Sequence, residues 1–159
     1  MTGIIEKLSV EKNIDMALKV NPTADKVVAI LDDSVTADAE RKNFYSAEAE
    51  YPELEFSEIN SSELTTAQLQ QAISKVDDKT ILIYIVMSKD GSGKQYTSDQ
   101  ALCMIVDYAK VPVYRMVEAG IGDGLLGGNV VSMYKSGEIA AQMAMDIANG
   151  TDSAEINVV

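Results

Sequence analysis

The chain has 159 residues, of which 47% are hydrophobic and 24% charged, and its formal net charge at pH 7 is −12. This length and composition are typical of one globular domain that buries a core, and the negative charge disfavours nucleic acids and anionic membrane surfaces as partners. The chain has no histidine and one cysteine, Cys103. An internal disulfide is therefore excluded, and the commonest general base and metal ligand is missing.

Amphipathic helices and apolar strands alternate along the first half of the chain. Ser9 is predicted to cap a first helix, and Asn21-Pro22 ends it. The elements predicted after it are a strand from Lys26 to Leu31, a helix from Ser34 to Glu50 and a strand from Glu55 to Ile59.

The second half continues the alternation. Thr65 with Gln68, and Thr97 with Gln100, are capping-box pairs that predict two helix starts. The other predicted elements are strands from Thr80 to Met87, Val111 to Met116 and Asn129 to Val131, a helix from Lys135 to Ala148 with Ile139, Ala140, Met143, Ala144 and Ile147 on one side, and an extended end from Glu155 to Val159.

This alternation predicts a single α/β domain over residues 1–159, a three-layer αβα Rossmann-like lobe with a mostly parallel sheet. Parallel sheets place their binding loops at the carboxyl ends of the strands. We therefore expect the binding loops to be Asp32 to Thr36, Ser88 to Tyr96 and Val117 to Gly128.

Two glycine-rich stretches are similar to nucleotide-binding motifs but lack their context. Gly122, Gly124 and Gly127 fit GxGxxG, yet an extended segment follows them instead of a helix, which favours a tight loop needing positive φ. The run from Gly91 to Lys94 lacks the rest of a phosphate-binding loop and is predicted to be a mobile turn. No cofactor or metal is expected, and Cys103 is predicted to be a small buried side chain within a helix.

The acidic pair Asp32-Asp33, together with Asp90 and Lys135, supports an alternative. Response-regulator receiver domains group an acidic pair, a phospho-accepting aspartate and a lysine around magnesium. Lys135, however, lies at a predicted helix start, and the fourth strand leads to Glu118 where a receiver has Ser or Thr. A phospho-accepting role for Asp32, Asp33 and Asp90 remains the alternative prediction.

Three stretches resemble the second lobe of ABC-type solute-binding proteins, a module also found in extracellular sensors of histidine kinases and diguanylate cyclases. They are Thr2 to Glu6 with the following Asn13-Ile14 and Asn21-Pro22, Val111 to Tyr114, and Gly124 to Gly128 with Gly137 to Ala141 and Gly150. The resemblance implies an extracytoplasmic location and a lobe excised from a two-lobed receptor, with hinge segments at 1–8 and 151–159. Excision would account for a start, Met1 to Glu6, that lacks the pattern of a signal peptide, and for apolar runs all shorter than the ~18 residues of a membrane span.

Such receptors close two lobes on a small solute, without catalysis, and closure signals to a permease or a membrane signalling domain. The resemblance implies that the strand-end residues of this lobe contact the solute, while its missing first lobe supplies the rest of the pocket and the isolated lobe self-associates. The implied ligand-binding residues are Asp33, Ser34, Thr36, Ser88, Asp90 and Glu118. For Asp33, Ser34 and Thr36, plain helix capping is an equally supported alternative.

Overall fold

A four-stranded parallel sheet forms the centre of the structure, a computed structural model that describes residues 2–159. Its strands are β1 (Lys26–Leu31), β2 (Glu55–Asn60), β3 (Thr80–Tyr84) and β4 (Val113–Arg115). They lie in the order β2-β1-β3-β4, and every neighbouring pair is parallel. Met1, the first residue of the predicted hinge segment 1–8, lies outside the described residues.

Five α-helices accompany the sheet. They are α1 (Val10–Val20), α2 (Val35–Ser46), α3 (Thr66–Ser74), α4 (Ser98–Tyr108) and α5 (Met133–Ala148), with short 3-10 helices at Ala47–Glu50 and Ser61–Glu63. The predicted caps are confirmed: Ser9 accepts a hydrogen bond at the start of α1, and Thr65 and Thr97 form complete capping boxes. Within residues 2–159, no helix is long and apolar enough to cross a membrane.

The sheet separates two apolar cores. Val27, Ala29 and Leu31 of β1 pack with α1 and α2 on one face, while Ile30 packs with α3 and α4 on the other. Successive residues of a strand point to opposite faces, so one short apolar strand supplies both cores. The predicted three-layer α/β class is confirmed.

Some predicted strands are longer than the observed ones. β3 ends at Tyr84 and not at Met87, because its pairing with β1 ends at the Ile30–Tyr84 pair. The segment from Asn129 to Val131 forms only an isolated bridge between Val117 and Val131. Residues 155–159 form no strand, although the N–H of Ile5 donates to the carbonyl of Val159 at 2.7 Å.

The glycine-rich loop after β4 is tight, as predicted. Gly122 and Gly124 have φ angles of 94° and 105°, in the region that favours glycine. A Cβ atom on Gly128 would lie 1.8 Å from Oδ1 of Asn13, a buried side chain that bonds to both backbone groups of Asn129. The close contact between the Asn13 side chain and the backbone explains the glycine at position 128. The GxGxxG stretch is not followed directly by a helix, since α5 begins at Met133.

Helix α5 begins two residues before its predicted start and leaves its apolar side exposed. Its predicted apolar side runs through Ile139, Met143 and Ile147, but none of its sixteen residues is buried. Tyr134 is 80% exposed and Met145 58% exposed. Amphipathic periodicity correctly predicted the helix, and within the described residues no element buries its apolar side.

Candidate functional site

The carboxyl ends of β1 and β3 meet where the order of the strands reverses. From β1 the chain connects outward to β2 on one side, whereas β3 lies on its other side. At such a switch point the loops following the two strands diverge and leave a crevice, where open α/β sheets bind ligands. Asp32 follows β1, and Ser88 lies four residues beyond β3.

Asp32 joins these two strand ends. Its carboxylate accepts hydrogen bonds from the N–H of Ser34 at 2.9 Å, and from the N–H of Ser88 at 2.7 Å and the Ser88 hydroxyl. The residue is fully buried, which by itself raises the pKa of its carboxyl, but the bonds from Ser34 and Ser88 outweigh burial and hold the pKa below its usual value. Two predicted site residues, Ser34 and Ser88, are thus brought together by a carboxylate that fixes both loops.

Asp33 lies on the solvent side of the same loop. One oxygen accepts from the Asn60 amide at 2.9 Å and from Arg41 at 3.3 Å, and the side chain is 49% exposed. Arg41 also contacts Glu58 at 3.0 Å and Asp38 at 2.8 Å. Sequence reasoning missed this arginine, which orients Asp33 from about two turns along α2.

Ser34 and Thr36 stand at the start of α2. The Ser34 hydroxyl accepts the N–H of Ala37 at 3.2 Å, so this serine caps the helix. Thr36 is exposed in the first turn, and Ser88 is exposed beside the same crevice. Polar atoms at a helix start are suited to a carboxylate or hydroxyl of a ligand.

Asp90 is 2% exposed, and its carboxylate accepts five hydrogen bonds. The donors are the Thr66 hydroxyl, the N–H and hydroxyl of Ser92, the N–H of Lys94 and the Tyr96 hydroxyl. Burial alone raises the pKa of this carboxyl, but these bonds prevail and lower the pKa well below its usual range. In this structure Asp90 holds its own loop, and its ligand-binding role stays a prediction.

The same network corrects the prediction of a mobile turn from Gly91 to Lys94. The Asp90 carboxylate accepts the N–H of Ser92 within the turn and that of Lys94 at its end, and the N–H of Gly91 donates to the carbonyl of Leu64 at 2.8 Å. A Cβ on Gly91 would lie 2.9 Å from backbone atoms of Glu63 and Leu64. This loop is anchored to the start of α3.

The geometry gives no support to the receiver-like alternative. Asp32, Asp33 and Asp90 bond to different partners, as described above. Within residues 2–159, no three acidic or cysteine side chains lie close enough together to hold a metal ion. An acidic pair and a phospho-accepting aspartate would have to share one magnesium ion.

Glu118 lies away from this network, in the loop between β4 and α5. Its carboxylate accepts the N–H of Tyr134 at 3.3 Å. A hydrogen bond from the Ser132 hydroxyl is the main cause that lowers the pKa of Glu118. In this structure Glu118 fixes the start of α5.

Arg115, the last residue of β4, lies at the same sheet edge as the other strand ends, and sequence reasoning did not single it out. It pairs in register with Tyr84 of β3, and its guanidinium carbon lies 4.2 Å from the centre of the Tyr84 ring. Its Nε is buried without a hydrogen-bond partner. The signal available in the sequence was an arginine at a strand end, inside the run VPVYRM.

A groove of about 490 Å³ lies between α3 and α4. Its lining includes Thr66 and Tyr96 from the Asp90 network, and also Cys103. Cys103 is exposed, so the prediction of a buried cysteine was wrong. None of the predicted ligand-binding residues lines this groove, and we place the candidate site at the strand ends because polar groups from several loops converge there.

Two solved structures are similar to this fold over nearly the whole chain. One is the ABC domain in complex with L-Trp from Streptococcus pneumonia, with a TM-score of 0.67 and 17% identity; the match covers 99% of this chain and 54% of that chain. The other is a conserved domain protein from Vibrio cholerae O1 biovar eltor, with a TM-score of 0.64 and 17% identity, covering 99% of this chain and 51% of that chain. No family model and no curated protein matches the sequence. The chain spans about half the length of both solved structures, and at this identity the likeness shows the fold alone.

Proposed function

We propose that this chain is a small-solute-binding lobe of a two-lobed extracytoplasmic receptor and acts by closure of the lobes on the solute. The observation that carries the proposal is the likeness of the whole chain to about half of a structure that holds L-Trp. Such a half would contribute the strand-end loops on one side of a solute. Thr36 and Ser88 are exposed after β1 and β3, and the Ser88 hydroxyl, which donates to Asp32, can still accept a hydrogen bond from a ligand.

The exposed apolar side of α5 supports the second lobe as a partner. A sixteen-residue helix without a buried residue is unusual for a globular domain, because helix stability comes mainly from packing of an apolar face. Both solved structures contain a further half that this chain does not match. We assign the apolar side of α5 to that missing first lobe.

The proposed role is recognition without catalysis. The chain has no histidine, and the carboxylates of Asp32 and Asp90 are buried and already accept three and five hydrogen bonds, which disfavours a role as general base. Lobe closure would be transmitted to a permease or a membrane signalling domain.

Titration of the ¹⁵N-labelled chain with L-tryptophan and a panel of neutral amino acids and sugars tests this proposal. Amide signals from Asp33 to Thr36 and at Ser88 should shift, with the weak affinity of half a pocket. Thr36→Val should weaken binding, whereas Thr151→Val, at an exposed threonine far along the chain, should not. An absence of strand-end shifts throughout the panel would refute the proposal, and micromolar or tighter affinity would contradict the assignment of half a site.

A further inference from the structure

Arg115 is held at the edge of the sheet by an aromatic platform. It is the last residue of β4 and lies opposite Tyr84, so the two side chains share one face of the sheet. The Tyr84 ring under the guanidinium is 2% exposed. A guanidinium that stacks on a buried ring keeps its in-plane N–H groups available for another hydrogen-bond partner.

Within the described residues, the N–H groups of the Arg115 guanidinium are not all hydrogen-bonded. The Arg115 Nε is buried without a hydrogen bond, and among residues 2–159 no carboxylate lies within 4.0 Å of its guanidinium. The other arginine, Arg41, contacts three carboxylates. A buried N–H without a hydrogen-bond partner is destabilising, and in a chain of 25 acidic residues the absence of a carboxylate beside Arg115 calls for an explanation.

We propose that Arg115 binds a carboxylate group of the solute, an inference that rests on the proposed function. A carboxylate matches the planar fork of a guanidinium and accepts two parallel hydrogen bonds. Arg115 is half-buried, where a charge-assisted bond is screened less than in water. One guanidinium at this position, in a chain of net charge −12, favours a singly charged carboxylate over a phosphate dianion. The surrounding negative charge would repel the dianion more strongly.

The two arginines make the test direct, because the chain has only two arginine Nε–H signals to observe by NMR. The spectrum of Arg115→Lys assigns them. Titration with L-tryptophan or sodium acetate should move the Arg115 signal and leave that of Arg41, which is paired with Glu58, unchanged. L-tryptophanamide, which lacks the carboxylate, should leave both signals unchanged.

The affinity for L-tryptophan should fall at least about tenfold in Arg115→Lys, which keeps the charge and loses the fork. If the strand-end amides shift while the Arg115 signal stays fixed, the inference fails and the proposed function stands. If no solute shifts any strand-end signal, the proposed function itself fails. Equal shifts with sodium chloride or sodium phosphate would overturn the inference in favour of unspecific attraction of anions. The comparison of L-tryptophan with its amide uses the unaltered chain and needs no variant to fold.

Discussion

Five donors converge on the carboxylate of Asp90, and together they convert a polar, glycine-containing loop into a fixed part of the fold. Thr66 contributes from the start of α3, and Tyr96 from the end of the loop itself. A buried carboxylate is stable only when hydrogen bonds replace its hydration. Asp90 therefore serves as the local anchor between β3 and α4.

Replacing Asp90 by asparagine should destabilise the chain by about 2–4 kcal/mol, because an amide NH₂ would face donors that now bond to an oxygen. The depressed pKa of Asp90 means that its stabilising contribution is present above the usual carboxyl pKa of about 3.9 and is lost as the pH falls through its lower folded value. Below about pH 4, the unfolding free energy of Asp90→Asn should therefore fall less steeply than that of the wild type. Urea unfolding between pH 7 and pH 2 measures both effects.

Asp107→Asn is the matched control for this change. Asp107 is exposed near the end of α4, so its replacement should leave the urea midpoint nearly unchanged. Equal midpoints for Asp90→Asn and the wild type would show that the five bonds contribute nothing net.

Some residue roles were predictable and others were not. The capping residues Ser9, Thr65 and Thr97 act within four residues of themselves, so local spacing revealed them. Asp90 depends on Thr66, 24 residues earlier in the chain, and no local pattern records that contact. Cys103 was misplaced because adjacent residues of a helix point about 100° apart, and apolar neighbours do not share its direction.

At the scale of elements, the loop between β3 and α4 is packed against the backbone that precedes α3. Gly91→Ala should destabilise the chain by roughly 1–3 kcal/mol, because the added Cβ would meet backbone atoms at 2.9 Å that cannot rotate away. Gly137→Ala is the opposite case, since its Cβ would meet open space in the middle of α5. It should raise stability by up to about 1 kcal/mol through helix propensity.

Thermal unfolding of the two variants measures this difference. A melting temperature for Gly91→Ala at or above that of the wild type would contradict the anchored loop. A fall for Gly137→Ala would mean that α5 is covered at that position.

The elements themselves were largely predictable, because burial dictates their pattern. β1 has the bounds predicted for it, since KVVAIL is apolar on both sides and is buried on both sides. β3 is shorter than its apolar run, because strand length depends on a partner strand as well as on hydrophobicity. The stacking of the Arg115 guanidinium on the Tyr84 ring could not be predicted from the sequence. It depends on the register between two strands that are distant in the chain, which is a tertiary property.

At the scale of the whole molecule, α5 leaves an apolar surface that the described chain does not cover. Without the proposed first lobe, a second copy offers the nearest apolar surface, so the chain should self-associate as its concentration rises. Ile147→Lys, on the apolar side, should suppress this association, whereas Gln142→Lys, on an exposed polar position, should not. Sedimentation velocity over a range of concentrations measures this association. A strict monomer at high concentration would contradict an uncovered apolar side of α5.

The Asp32 link between the ends of β1 and β3 has a consequence for how fast and how tightly a solute can bind. Because that carboxylate already holds the N–H groups of Ser34 and Ser88, these two loops are ordered when the domain folds. The conformational entropy of these segments is then absent from the cost of association. The rate of capture at this edge would depend on diffusion and on movement of the lobes, and not on loop rearrangement.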